Sequence, residues 1–200
     1  MEELETKVKE YLSVLESAES NYDYQSILQD WKQKALEDEK AIWFLFKKIV
    51  NNLIQDNTLW NQNTNLAVGI FYVLIDIANE KAYALVKWFI QNFKDDTPSG
   101  AIELISTLIP SFPSVNAEEY FKYTTSKNHA QSALGFLTLF NLAMERKLTL
   151  EQEKRLYEIS KTYTNDYHYV GHITDLLTFR FQRFDNNSEE DEKIDIQLVG

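Results

Sequence analysis

Apolar side chains recur three and four residues apart along almost the whole chain, and this period excludes most folds at once. Leu4, Val8, Tyr11, Leu12 and Leu15 fall on one helical face. Tyr24, Ile27, Leu28, Trp31 and Ala35 fall on the next, and AIWFLFKKIVNNLI (41–54) is denser still. Strands half-buried in a sheet would alternate every second residue instead. Only five glycines and three prolines occur in 200 residues, too few to punctuate a β fold. The pattern predicts an all-α chain of about ten antiparallel helices, at 2–18, 22–36, 39–54, 63–78, 80–94, 98–109, 116–127, 129–145, 149–163 and 166–183. Short connections make sequential helices antiparallel neighbours.

The breaks between these segments have local causes. DNTLWNQNTN (56–65) reads as a polar loop carrying a buried Trp60. Thr97 and Pro98 read as a cap and a first-turn proline. Pro110 and Pro113 end the helix that follows. Asn116 with Glu119, and Thr149 with Gln152, have the spacing of capping signatures.

A second regularity lies over the first. Gly69, Gly100, Gly135 and Gly171 are 31, 35 and 36 residues apart, and each falls early in every second helix. A glycine inside a helix costs about 1 kcal/mol relative to alanine, so its recurrence points to close helix–helix approach. A period of this length with two helices per unit is how helical solenoids are written. On these residues the chain resembles HEAT- or armadillo-like helical repeat proteins over 39–183. The resemblance implies one domain, 1–184. Residues 1–38 would form N-terminal capping helices and 39–184 four two-helix units. The end, DNNSEEDEKIDIQLVG (185–200), reads as an acidic tail with a short strand-like segment in IDIQLV.

Charge and composition narrow the function. The net charge is −11, and it sits at the ends. Residues 1–40 hold 11 acids and 5 bases, residues 185–200 hold 6 acids and 1 base, and the body between them is neutral. Nucleic-acid binding needs a basic stripe, which is missing. No cysteine is present, so a disulfide framework and a thiol nucleophile are both excluded. The acidic start, MEELETKVKEYL, is unlike a secretory signal. The longest apolar run, Leu66–Ala78, carries Asp76 and is shorter than the roughly 18 residues of a membrane span. These features lead to the expectation of a soluble, cytoplasmic protein with no membrane association. A polar first helix and an acidic tail would close both ends of a stack, which favours a monomer.

Two functional readings follow. The motifs of dinucleotide, phosphate-loop, zinc-protease and serine-hydrolase sites are absent. One candidate for chemistry is the face formed by His168, His172 and Asp175. Imidazoles four apart on a helix reach one metal, and a carboxylate one turn on adds a ligand. His129, one unit earlier, would lie beside them. The same spacing also suits an ordinary packing helix, and this alternative of a metal-dependent enzyme is the weaker of the two. The other reading needs neither catalysis nor cofactor. Tyrosine is abundant (11 residues) and is enriched at protein interfaces. Acidic ends favour a basic protein partner. In size, acidity and lack of chemistry the chain is similar in type to bacterial immunity proteins. That likeness implies an inhibitor that binds and blocks a basic partner such as a toxin; an adaptor or assembly chaperone is the neighbouring possibility. The expected contact residues are Tyr163, Asp166, Tyr167 and Tyr169, with the tail acids Glu189, Glu190, Asp191 and Glu192.

Overall fold

The computed structural model describes residues 2–165 together with Leu176 and Phe181. Among the described residues there are ten α-helices and no strand. They are α1 (Glu2–Glu16), α2 (Asn21–Leu36), α3 (Lys40–Gln55), α4 (Thr58–Gln62), α5 (Thr64–Ile77), α6 (Glu80–Gln91), α7 (Ser99–Leu108), α8 (Ala117–Tyr123), α9 (His129–Met144) and α10 (Leu150–Ser160), with a 3-10 turn at Ile109–Ser111. Leu176 and Phe181 are also helical. The expected helix at 166–183 and the strand-like tail otherwise lie outside the described residues, as does Gly171.

The all-α expectation is met, with three local corrections. The 56–65 segment is a five-residue helix rather than a loop. Asp56 accepts from both the backbone N–H and the hydroxyl of Thr58 at 2.9 and 2.7 Å, which starts the turn that buries Trp60. Thr97 does not cap α7: its buried hydroxyl accepts from the N–H of Lys94 at 2.9 Å, and Pro98 stands at the N-cap without a side-chain bond. The segments expected at 116–127 and 149–163 stop early, at Tyr123 and Ser160. Thr124, Thr125 and Ser160 each turn a hydroxyl back onto the carbonyl three residues before it, which competes with continuation of the helix. Elsewhere the caps are as written. Thr149 and Gln152 form a complete capping box, whereas Asn116 caps α8 alone, through the N–H of Glu118.

A single hydrophobic core runs the length of these helices. α1 packs on α3, α2 on α5, α3 on α6, α5 on α7, and α7, α8 and α10 all pack on α9. α9 is enclosed on nearly every side, with Ala130, Ala133, Leu134, Phe136, Leu139 and Ala143 all fully buried. Rings carry much of the load. Phe71, Phe89 and Trp60 form one cluster. Tyr83 stacks on Phe112 and shares a 2.8 Å hydrogen bond with the buried hydroxyl of Tyr120, so both polar tips are satisfied inside the core. Phe181 meets Tyr157 edge-on.

The glycine expectation divides by position. At Gly135 a Cβ would stand 2.6 Å from Tyr123 Cβ, 2.8 Å from Tyr120 O and 3.0 Å from Thr124 N, so α8 approaches α9 through its backbone. At Gly69 the obstacle is the tip of a flexible side chain, Leu28 Cδ1 at 2.7 Å. At Gly100 a Cβ would make an ordinary 3.7 Å contact with Trp60, and no close approach exists there.

Candidate functional site

Among the described residues, concave regions include one beside the α8–α9 connection and one beside α1, α2 and α5. They are built from similar residue types and differ in what those residues bond.

The C-terminal recess, of about 470 Å³, lies between the α8–α9 connection and the end of α10, with His129 and Tyr163 on its wall. Its polar groups are largely committed to one another. Ser126 donates to Gln131 Oε1 and accepts from the N–H of Asn128. Asn128 caps α9 through the N–H of Gln131 and donates to Phe93 O. Ser132 donates to Thr124 O at 3.0 Å, which leaves the Tyr163 hydroxyl to donate to Ser132 at 2.7 Å. Asn165 then donates to Tyr163 and to His129 O, while the N–H of His129 is held by Asp95 at 2.9 Å. The Tyr163 ring stacks on Phe136 at 4.3 Å. Burial raises its pKa, and hydrogen bonding with Ser132 and Asn165 opposes that rise. Close by, Glu118 is bound by Gln152 at 3.1 Å and Arg155 at 2.8 Å, and these hydrogen bonds hold its carboxyl below the usual range.

The N-terminal end has two adjoining recesses of about 470 and 500 Å³ that share Leu15, Tyr24 and Asn65. Together they make an elongated depression bounded by the end of α1, the first half of α2, the end of α4 and α5 from Thr64 to Asp76. Glu16, Glu19 and Asp76 contribute carboxylates, and Asn21, Gln25 and Asn65 contribute carboxamides. Among the described residues no Lys, Arg or His lines either recess. Asp76 is paired with Lys32 at 3.0 Å; Glu16 and Glu19 are exposed. The apolar floor includes Leu28 and Val73. Tyr22, at 82% exposure, and Tyr72, at 51%, stand out from the same end. The Tyr24 hydroxyl is shut off from solvent and has no hydrogen-bond partner among the described residues. It lies beside Gly69, 3.4 Å from where a Cβ would be, and burial raises its pKa.

Of the contact residues expected from sequence, the structure describes Tyr163, a half-buried ring bonded into the C-terminal network. Asp166, Tyr167, Tyr169, Glu189, Glu190, Asp191 and Glu192 lie outside the described residues. The same holds for His168, His172 and Asp175 of the metal alternative; His129 is described, exposed at the first turn of α9. Among the described residues no three His, Asp or Glu side chains are grouped to hold a metal ion, and no helix is long and apolar enough to cross a membrane. The N-terminal depression was not singled out by the sequence reading. Its signal was the acidity of residues 1–40, with Tyr24 counted only as a member of a buried stripe and Asn65 as part of a loop. Comparison of the chain with protein-family models, with curated proteins and with solved structures returns no match.

Proposed function

We propose that this chain is a non-catalytic protein-binding module whose α1–α2–α5 end engages a basic protein partner. The observation that carries the reading is the N-terminal depression: carboxylates and carboxamides line it, no cationic side chain among the described residues does, and two large tyrosine rings are left exposed at its side. Acidic groups on a surface draw a basic partner in through faster encounter. Tyrosine anchors then supply contact area at low entropic cost. Its most specific form is an inhibitor of the immunity type, which covers the positive surface of a toxin; an adaptor or assembly chaperone would use the same face.

The finer architecture belongs to this proposal too. Stacked two-helix units would place each connection one unit above the last. Hydrogen bonds and ion pairs that link distant elements support that arrangement through their sequence separations. Asn128 to Phe93 spans 35 residues, His129 to Asp95 spans 34, Asn165 to His129 spans 36 and Lys147 to Pro110 spans 37. At the other end Lys48–Glu5 and Lys32–Asp76 span 43 and 44.

The test is binding of the full chain to Lys/Arg-rich, neutral and Glu-rich peptides. The basic peptides should bind best, and their affinity should fall as salt rises from about 50 to about 500 mM, because exposed charges are screened within about 10 Å at 0.1 M. The Glu16→Gln/Glu19→Gln variant should weaken binding by roughly tenfold, equivalent to about 1.4 kcal/mol. Affinity indifferent to peptide charge, salt and this variant would contradict the proposal.

A further inference from the structure

We infer that the partner reaches the N-terminal depression as an extended basic segment, laid along the groove between α1–α2 and α5, with Tyr24 as the residue that gains a hydrogen bond on docking. The inference rests on the proposed role of this face in binding a basic protein and adds the form of the ligand and the group that reads it.

The shape comes first. Two recesses that join at Leu15, Tyr24 and Asn65 make a trough rather than a single enclosed hole. A trough suits a chain lying lengthwise better than a compact small molecule, which would be covered on most of its surface. The lining agrees. A carboxamide carries both donors and an acceptor, so Asn65 and Gln25 can each meet the N–H and the C=O of a passing peptide group. An extended segment presents such groups unpaired along its length, whereas a helix has already bonded them internally. Glu16 and Glu19 at the rim supply acceptors for Lys or Arg heads, and Leu28 and Val73 on the floor can take the methylene stems of those side chains.

Tyr24 supplies the independent mark. Its hydroxyl is sealed and finds no hydrogen-bond partner among the described residues, an arrangement less favourable than that of a satisfied group. The equivalent hydroxyl at the opposite end, Tyr163, is doubly bonded. A small rotation of the Tyr24 ring into the trough would bring its hydroxyl to a ligand carbonyl, and the unfavourable free state would favour that movement.

The experiment measures affinity of the full chain for three labelled peptides of equal length, the first two matched in Lys/Arg content. One is held extended by interspersed proline, one is alanine-based and helical, and one is the extended peptide with Glu in place of its basic residues. The extended basic peptide should bind best. Tyr24→Phe should weaken it by about three- to tenfold, the scale of one hydrogen bond, while the helical peptide is unaffected. Asn65→Ala, at an exposed position that leaves folding intact, should weaken the extended peptide to a similar degree. If Glu16→Gln/Glu19→Gln weakens binding while Tyr24→Phe and Asn65→Ala do not, the groove inference falls and the acidic docking face stands. If the helical and extended basic peptides bind alike, the extended form of the ligand is overturned. If no basic peptide binds above the Glu-bearing control, the docking face falls as well.

Discussion

Tyr24 and Tyr163 occupy comparable places at opposite ends of the molecule. Each is a half-buried ring at a recess and lies beside a glycine-bearing helix, α5 or α9. At the C-terminal end the hydroxyl is bonded by Ser132 and Asn165 and the ring stacks on Phe136. At the N-terminal end the hydroxyl has no partner among the described residues. The glycines follow suit: Gly135 is fixed by the backbone of α8, while Gly69 faces the tip of a leucine. The contrast separates two uses of the same residue types. Where polar groups are committed to neighbouring connections they hold the fold. Where they are left unspent in an acidic trough, they are available to something else.

The largest effect that would sharpen this contrast is at Gly135. Gly135→Ala forces a methyl into backbone atoms that cannot move aside, and overpacking of this kind costs about 1–3 kcal/mol or more. For a chain of this size that lowers Tm by several degrees, at about 2–4 °C per kcal/mol. Gly69→Ala should cost much less, because Leu28 can change rotamer and alanine returns about 1 kcal/mol of helix propensity. A loss at Gly69 as large as at Gly135 would erase the distinction.

The core tyrosine pair gives the next effect. Tyr83→Phe leaves the fully buried Tyr120 hydroxyl without its partner and should cost about 1–3 kcal/mol, while Tyr83→Phe/Tyr120→Phe should recover much of that loss. The same pair predicts alkaline sensitivity. Burial pushes the pKa of Tyr83 up to about 12 and raises that of Tyr120 further, so the folded state holds protons that the unfolded chain releases near pH 10. Stability is therefore complete below about pH 10 and declines as pH rises through the folded-state pKa. Tyrosinate absorbance followed together with circular dichroism during alkaline titration checks it.

Smaller still is Gly100→Ala. With no close neighbour and an exposed helical position, it should stabilise by about 0.5–1 kcal/mol. At the exposed edge, Glu118 should titrate below the ordinary glutamate range because Gln152 and Arg155 bond its charged form. Its link to α10 is present at neutral pH and is lost as pH falls through that lowered pKa. Carboxyl chemical shifts, compared with those in Arg155→Ala, measure the effect.

Helical class was legible because the three-four period of residues such as Ile42, Leu45, Phe46 and Ile49 is imposed by burial of one face, and those residues are buried. Capping at Thr149 was legible because the box is local. The early ends at Tyr123 and Ser160 were not foreseen, since hydroxyls folding back on the chain compete with the helix only by a small margin. Gly100 carried the same sequence signal as Gly135, because spacing along a chain does not say what lies across from it. The trough was hidden for the same reason: Glu16, Tyr24 and Asn65 come from three separate elements, and only packing of α1 and α5 on α2 brings them together. The charge of the first forty residues was visible in the sequence, but the recesses that Glu16 and Glu19 line were not.

The most direct test is chemical denaturation of Tyr24→Phe beside Tyr163→Phe. The account predicts opposite signs: removal of the unbonded hydroxyl at Tyr24 stabilises the free protein by about 1 kcal/mol, and removal of the bonded one at Tyr163 destabilises it by about 1 kcal/mol or more. Destabilisation by both substitutions would mean that the Tyr24 hydroxyl is already committed within the free protein, and the contrast between the two ends would be contradicted.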